Sequence, residues 1–273
     1  MSARQKSCYF PKDEFEHRWR RAREEMEQAE LDALILSKPE NVYYFSGNIT
    51  TSYYQEPILF VLCRDKEPIM LAPLREKGNI ETSTWIDNIE VWGTEDPEKA
   101  LEVDKVEVIG KTLKRLALDK ARIGTELKGR RSLLPEDLSK IRQKMPESNF
   151  SDASRITEKI RMIKSEREIV FIKRAIEITS TAFKIGMEAL QNGVTEKEIA
   201  QVIWRTMLEH GGDLPPYAGH LVLRGGPERN KCIHSMPLDK KLVRGDIIKI
   251  DGGCRYHGYL CDFARFAAIG TPT

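Results

Sequence analysis

Gly245-Asp246-Ile247-Ile248-Lys249-Ile250-Asp251-Gly252-Gly253, continued by Tyr256-His257-Gly258-Tyr259-Leu260-Cys261-Asp262-Phe263-Ala264-Arg265, is the most strongly patterned stretch of the 273-residue chain and decides its fold. Three β-branched isoleucines lead into an acid and two glycines, and a second apolar run from Tyr259 to Ile269 ends at Gly270. The pattern predicts two antiparallel strands joined by a tight turn. Each strand carries one carboxylate in an apolar setting, where an unpaired charge is costly. Two such acids on neighbouring strands repel unless a cation lies between them. Asp251 and Asp262 are therefore the first candidates for metal ligands. Local roles compete with this. Asp251 before two glycines can be a turn acid bonding its own backbone, and Asp262 can face solvent on a half-exposed strand.

Working outward, the preceding residues supply a histidine. Pro215-Pro216-Tyr217-Ala218-Gly219-His220 leads into a strand at 221–223, then a loop through Pro227, then Asn230-Lys231-Cys232-Ile233-His234-Ser235-Met236-Pro237. His234 is either a proton donor or metal ligand, or a polar loop residue. Upstream lie two helices with matching start signals. Ser165 with Glu168 opens a helix over 165–190, and Thr195 with Glu198 opens another through Leu208; both are capping-box spacings. Asn192-Gly193 and Gly211-Gly212 end them.

The first part of the chain alternates strands and helices. Phe15, Trp19, Ala22, Met26 and Ala29 give a helix over 12–30. Strands are expected at 33–36, 89–92 and 122–124, with a hairpin from 57–62 and 68–71 around a polar tip. Pro39-Glu40-Asn41 reads as a turn, and helices are expected over 97–118 and 134–145. The alternation predicts an α/β domain with a helix-flanked sheet, with the boundary near residue 155. His17 and the cluster Arg18, Arg20, Arg21 and Arg23, matched by nearby glutamates, read as a solvated helix face.

Composition narrows the function classes. Lys plus Arg number 44 against 42 Asp plus Glu, a net charge of +2 that gives no drive toward nucleic acid or an anionic membrane. The five cysteines are scattered without a CxxC pair, which argues against a disulfide framework or zinc knuckle and for a reducing compartment. No signal peptide and no long apolar run is present, so a cytoplasmic protein that does not span a membrane is expected.

These residues resemble the pita-bread metallohydrolases, the family of aminopeptidase P, prolidase, methionine aminopeptidase and creatinase. The 250–265 segment is similar to the family's paired-aspartate signature, with its ligands eleven residues apart, and His234 lies seventeen before Asp251, where a substrate-facing histidine is found. Ile160-Arg161-Met162-Ile163-Lys164-Ser165-Glu166-Arg167-Glu168-Ile169 resembles the entry to the first catalytic-domain helix. Leu31-Asp32-Ala33-Leu34-Ile35-Leu36 and Pro39-Glu40-Asn41-Val42-Tyr43-Tyr44-Phe45-Ser46-Gly47 resemble the creatinase/prolidase N-terminal domain, which favours that branch. The resemblance implies an α/β N-terminal creatinase/prolidase-like domain over 1–155 and an incomplete α+β pita-bread catalytic domain over 156–273.

The resemblance further implies two divalent metal ions (manganese, cobalt or zinc), with Asp251 chelating one and Asp262 bridging both. A hydroxide held between them would hydrolyse an amide beside proline in a peptide substrate. His234 would bind substrate and stabilise the oxyanion or move a proton, and His220 either lines the pocket or starts a strand. His257 is read as exposed, Cys254 and Cys261 as packing residues, and Phe266 stands where a threonine is common. The family site adds a histidine and two glutamates farther along, and this chain ends at Thr273. The expectation is a truncated chain that binds metal weakly and is inactive or poorly active alone. A creatinase-like hydrolase of a small non-peptide amide and a non-catalytic protein-binding member of the fold are the alternatives. Family members often dimerise, so a homodimer is expected.

Overall fold

The structure is a computed structural model that describes residues 6–50, 56–96, 104–128, 133, 135–213 and 221–272. It divides into two compact units, Met1–Ile163 and Lys164–Thr273. The division falls after Ile163 rather than near 155, because the helix that ends the first unit packs back onto that unit's first helix.

The first unit runs α1 (Lys12–Gln28), β1 (Ala33–Leu36), α2 (Pro39–Ser46), β2 (Leu59–Cys63), β3 (Ile69–Pro73), α3 (Lys77–Ser83), β4 (Ile89–Trp92), α4 (Lys105–Arg115), β5 (Arg122–Thr125), α5 (Pro135–Lys144), β6 (Asn149–Asp152) and α6 (Ser154–Met162). The strands form one six-stranded sheet in the order β4-β3-β2-β1-β5-β6. Every residue of β1, β2 and β3 is buried, as continuous apolar strands require when helices cover both faces. Ile35, Leu59, Val61, Leu71 and Ile123 pack with Ile109 and Leu113 of α4 and with Leu138 and Ile141 of α5.

Two local expectations change. Residues 39–41 open a helix instead of a turn: Pro39 occupies its first turn, and Gly47 ends it in the left-handed conformation at φ 83°. The carboxylate that holds its start is remote in sequence. Glu126 accepts from the backbone N–H of Ser37 at 2.7 Å and of Lys38 at 2.8 Å, and from the Asn41 side-chain amide. Asn41 also donates to Thr157 Oγ1 at 3.0 Å and accepts from Arg161 Nη1 at 2.9 Å, tying α2 to α6. Burial pushes the Glu126 carboxyl above its ordinary value.

The arginine-rich face of α1 is only partly solvated. Arg18 is 1% exposed; it pairs with Glu14 at 3.1 Å, donates to Tyr44 O at 2.7 Å, and lies over the rings of Phe10 and Tyr44. The aromatic faces and the carboxylate together compensate its burial. His17 is exposed, as expected.

The second unit contains α7 (Glu166–Glu188), α8 (Glu196–Glu209), β7 (Leu221–Gly225), the single turn α9 (Pro227–Asn230), β8 (Ile247–Gly252), the short β9 (Arg255–Tyr256) and β10 (Tyr259–Leu260), and β11 (Phe263–Ala268). Both capping boxes form, at Ser165–Glu168 and Thr195–Glu198. Antiparallel strands in the order β11-β8-β7 make a three-stranded sheet. Ile248 and Ile250 face a core built with Leu221, Leu223, Ala175, Ile178 and Phe183 of α7, and Ile199 and Ile203 of α8. The two helices touch closely at Gly186, where a Cβ would lie 2.5 Å from Ile203. Alternation along β8 turns Ile247, Lys249 and Asp251 to the opposite face. Among the described residues no helix is long and apolar enough to cross a membrane.

Candidate metal centre

Asp251 is placed by β8, with Ala264 of β11 on one side and Val222 of β7 on the other. Its side chain is 29% exposed, and the Lys249 ammonium lies 2.7 Å from its Oδ2. Beyond it the two strand arms pinch together. A Cβ on Gly253 would lie 2.1 Å from the Cys261 carbonyl oxygen, and Cys261 N donates to Cys254 O at 3.2 Å. The chain then reverses through the β9–β10 ladder, in which Tyr256 pairs with Tyr259. The two-residue turn has His257 at φ 49° and Gly258 at φ 84°, the left-handed pair that hairpin twist favours.

His257 departs from expectation. It is half-buried, 5.0 Å from the Phe171 ring and 4.0 Å from Tyr256, and burial pushes its imidazole down. Tyr259 Oη donates to Glu168 Oε1 at 2.9 Å, so the turn docks on the first turn of α7. Asp262 takes the solvent-facing position that the sequence left open beside the apolar one. Cys261 is buried, alternation sends the next side chain outward, and Asp262 is exposed just before β11.

Cys254 and Cys261 are buried in the core of this unit. Thr179 Oγ1 lies 3.1 Å from Cys261 Sγ and accepts from Cys254 N at 3.1 Å. The hydrogen bond with Cys261, and then burial, push the Cys254 thiol up. Thr179→Val would leave the buried Cys254 N–H without its acceptor, at a cost of about 1–2 kcal/mol. Urea unfolding of the variant should show that loss, and an unshifted midpoint would mean that the hydroxyl is dispensable there.

His234, Asp251 and Asp262 meet in one cleft of about 170 Å³, lined also by Val222, Ser235, Met236 and Gly252. The structure thus brings together three of the four residues that sequence singled out. His220 lies outside the described residues. A larger groove of about 770 Å³ runs past Lys6, Lys12, Lys77 and Trp85 in the first unit. The histidine and the two carboxylates line the smaller cleft.

The loop bearing His234 is held on both sides by residues that sequence reasoning missed. Arg224 donates to Ile233 O at 2.6 Å. Arg229 donates to Met236 O at 2.6 Å and pairs with Glu196 at 2.9 Å. Glu196, 0% exposed, also accepts from Gly225 N at 3.2 Å and Leu238 N at 3.0 Å. In sequence Glu196 looks like an ordinary acid in the first turn of a helix, and nothing in its spacing marks its partners. Arg224 Nε and Ser235 Oγ are buried without a hydrogen-bond partner among the described residues.

Two hard carboxylate donors facing one cleft fit part of the shell of a divalent ion. Among the described residues no group of three or more His, Cys, Asp and Glu side chains converges to hold a metal.

A helix-flanked mixed sheet followed by a one-sided antiparallel sheet with two helices on it is the architecture of a creatinase/prolidase-like domain and an incomplete pita-bread domain. Residues 18–163 match the Creatinase/Prolidase N-terminal domain and residues 171–273 match Metallopeptidase family M24. The chain belongs to the pita-bread metallopeptidase family of creatinase and prolidase type. It is 29% identical to an Xaa-Pro dipeptidase of Lactobacillus delbrueckii subsp. lactis, over 89% of this chain and 63% of the relative. With an Xaa-Pro dipeptidase of Pyrococcus horikoshii the identity is 27%, over 90% of this chain and 62% of that one. Among solved structures, the X-Pro aminopeptidase of Thermotoga maritima superposes with a TM-score of 0.74 at 25% identity, covering 93% of this chain and 66% of that one. The prolidase of Pyrococcus horikoshii shares the fold with a TM-score of 0.76 at 24% identity, covering 94% and 66%. The chain spans less than two thirds of the length of these curated relatives.

Proposed function

We propose that this chain carries the aspartate side of a divalent-metal peptidase site that acts on peptides with proline after the scissile bond. The observation that carries the reading is the shared cleft of Asp251, Asp262 and His234; the relatives named Xaa-Pro dipeptidase supply the substrate class. Asp251 and Asp262 would hold manganese, cobalt or zinc, two ions in a complete site, and His220 would line the substrate pocket. Bound divalent ions supply Lewis acidity and an activated water for amide hydrolysis.

The chain's own residues do the rest. His234, exposed at the cleft mouth, donates to the substrate carbonyl oxygen or moves a proton to the leaving nitrogen. Val222 and Met236 give apolar walls that suit a pyrrolidine ring. Two carboxylates leave most of an ion's coordination to water, so the chain alone binds metal weakly and turns over Xaa-Pro dipeptides very slowly.

The test measures Mn2+ binding by equilibrium dialysis at millimolar ion for the chain and for the Asp251→Asn/Asp262→Asn double variant. Hydrolysis of Xaa-Pro against Xaa-Ala dipeptides is followed in parallel. Binding should be lost in the double variant, and any turnover should favour Xaa-Pro. A double variant that retained full Mn2+ binding would remove both acids from the site.

A further inference from the structure

The side of the sheet turned away from the helices carries a second ionic feature. Lys249 lies two residues before Asp251 on the same face of β8, and its ammonium makes the 2.7 Å ion pair with Asp251 Oδ2. Directly across the ladder from Lys249 stands Arg224, whose side chain is 7% exposed and donates to Ile233 O. Two cations in register repel one another. The Lys249 side chain, 21% exposed, therefore gains by swinging along the strand to Asp251 and loses by staying opposite the guanidinium. On its other side Lys249 is paired with Phe266, 66% exposed, which offers no charge.

We propose that Lys249 is a built-in competitor for the metal ion at Asp251. The ammonium on Oδ2 neutralises the carboxylate charge, so an ion at Asp251 must displace the ammonium or share the carboxylate with it. A carboxylate oxygen already bound to an ammonium cannot donate the same lone pair to a metal. An ion beside Asp251 would also face the Lys249 charge unless that side chain moved away. Its long stem allows this, because the ammonium can swing outward to water while the methylenes stay on the sheet. Lys249 thus sets the threshold ion concentration for occupancy and lowers the apparent affinity of every divalent ion by the same factor.

The inference rests on the metal reading of Asp251. Mn2+ alone is the probe, with free ion measured by electron paramagnetic resonance over the full chain, Lys249→Met, Lys249→Arg and the double aspartate variant. Lys249→Met should bind Mn2+ at least tenfold more tightly than the parent, while Lys249→Arg, which keeps the cation, should bind no better than the parent. Circular dichroism of each variant confirms that the sheet is intact, and Lys249→Gln serves as a second neutral variant if methionine disturbs it. Equal affinities in the neutral variants and the parent, with binding still lost in the double aspartate variant, would overturn the competitor role and leave the metal reading standing. Binding unchanged in the double aspartate variant, or absent from every form, would overturn both.

Discussion

Gly253→Ala is expected to lower the unfolding free energy of the second unit by about 3 kcal/mol, at the upper end of what overpacking costs. The added methyl would sit 2.1 Å from the carbonyl oxygen of Cys261, a backbone atom that no side-chain rotation can move. Relief requires the two arms to separate. That breaks the Cys261 N to Cys254 O hydrogen bond and lifts Cys254 from Thr179. Because Asp251 precedes the pinch on one arm and Asp262 follows it on the other, the same movement spreads the two carboxylates. Denaturant unfolding should show the stability loss, and Mn2+ binding should fall with it. A variant with an unshifted midpoint would mean that the arms are not closely packed at this point.

Glu126→Ala should have a larger effect on the first unit, about 4 kcal/mol, because it strands three buried donors at once. These are the N–H groups of Ser37 and Lys38 and the Asn41 amide. Glu126→Gln should recover only part of the loss, since its amide nitrogen would meet the Asn41 amide nitrogen. Asn41 cannot turn round to accommodate it without giving up Arg161 and Thr157. The carboxyl also ties stability to pH. Burial raises its pKa in the folded state, so the folded chain holds the proton more tightly than the unfolded one. Its stabilising contribution is then fullest below the ordinary glutamate value, and it declines as pH rises through the raised folded value. Glu126→Gln should abolish that slope in unfolding curves recorded across the acidic range, and a slope identical to the parent's would assign it to another group.

The residues that sequence read well are those whose partners are near in the chain. Ser165 with Glu168 and Thr195 with Glu198 form their caps three residues away. The β8–β11 pairing follows from β-branched periodicity and the glycines between. The Pro39-Glu40-Asn41 segment misled because proline and asparagine suit a turn as well as a helix start. What selects the helix is Glu126, on the far side of β5, and no local signal announces it. Arg18 looked solvated for the same reason: its cage is made by Phe10 and Tyr44, brought together only by folding. At the candidate centre, the aspartates and His234 could be found from spacing and resemblance. Lys249 and Glu196 could not, since a lysine in a strand and an acid in a helix's first turn usually have no role beyond those positions.

The Glu196–Arg229 anchorage also bears on how this protein can change over time. Glu196 and its partners fix the segment around His234 at Gly225, Arg229, Met236 and Leu238. Between those points Lys231 and Cys232 are exposed, whereas Asn230 donates to Ile247 O at 3.0 Å and adds a further anchor. Substitutions at Lys231 and Cys232 leave the anchors untouched, so those two positions are open to drift while the histidine stays put. A single change at Glu196 removes the bonds at Gly225, Arg229 and Leu238 together and leaves Met236 held by an Arg229 that has lost its carboxylate. The loop therefore tolerates variation in its middle and almost none at a helix residue that never approaches the cleft.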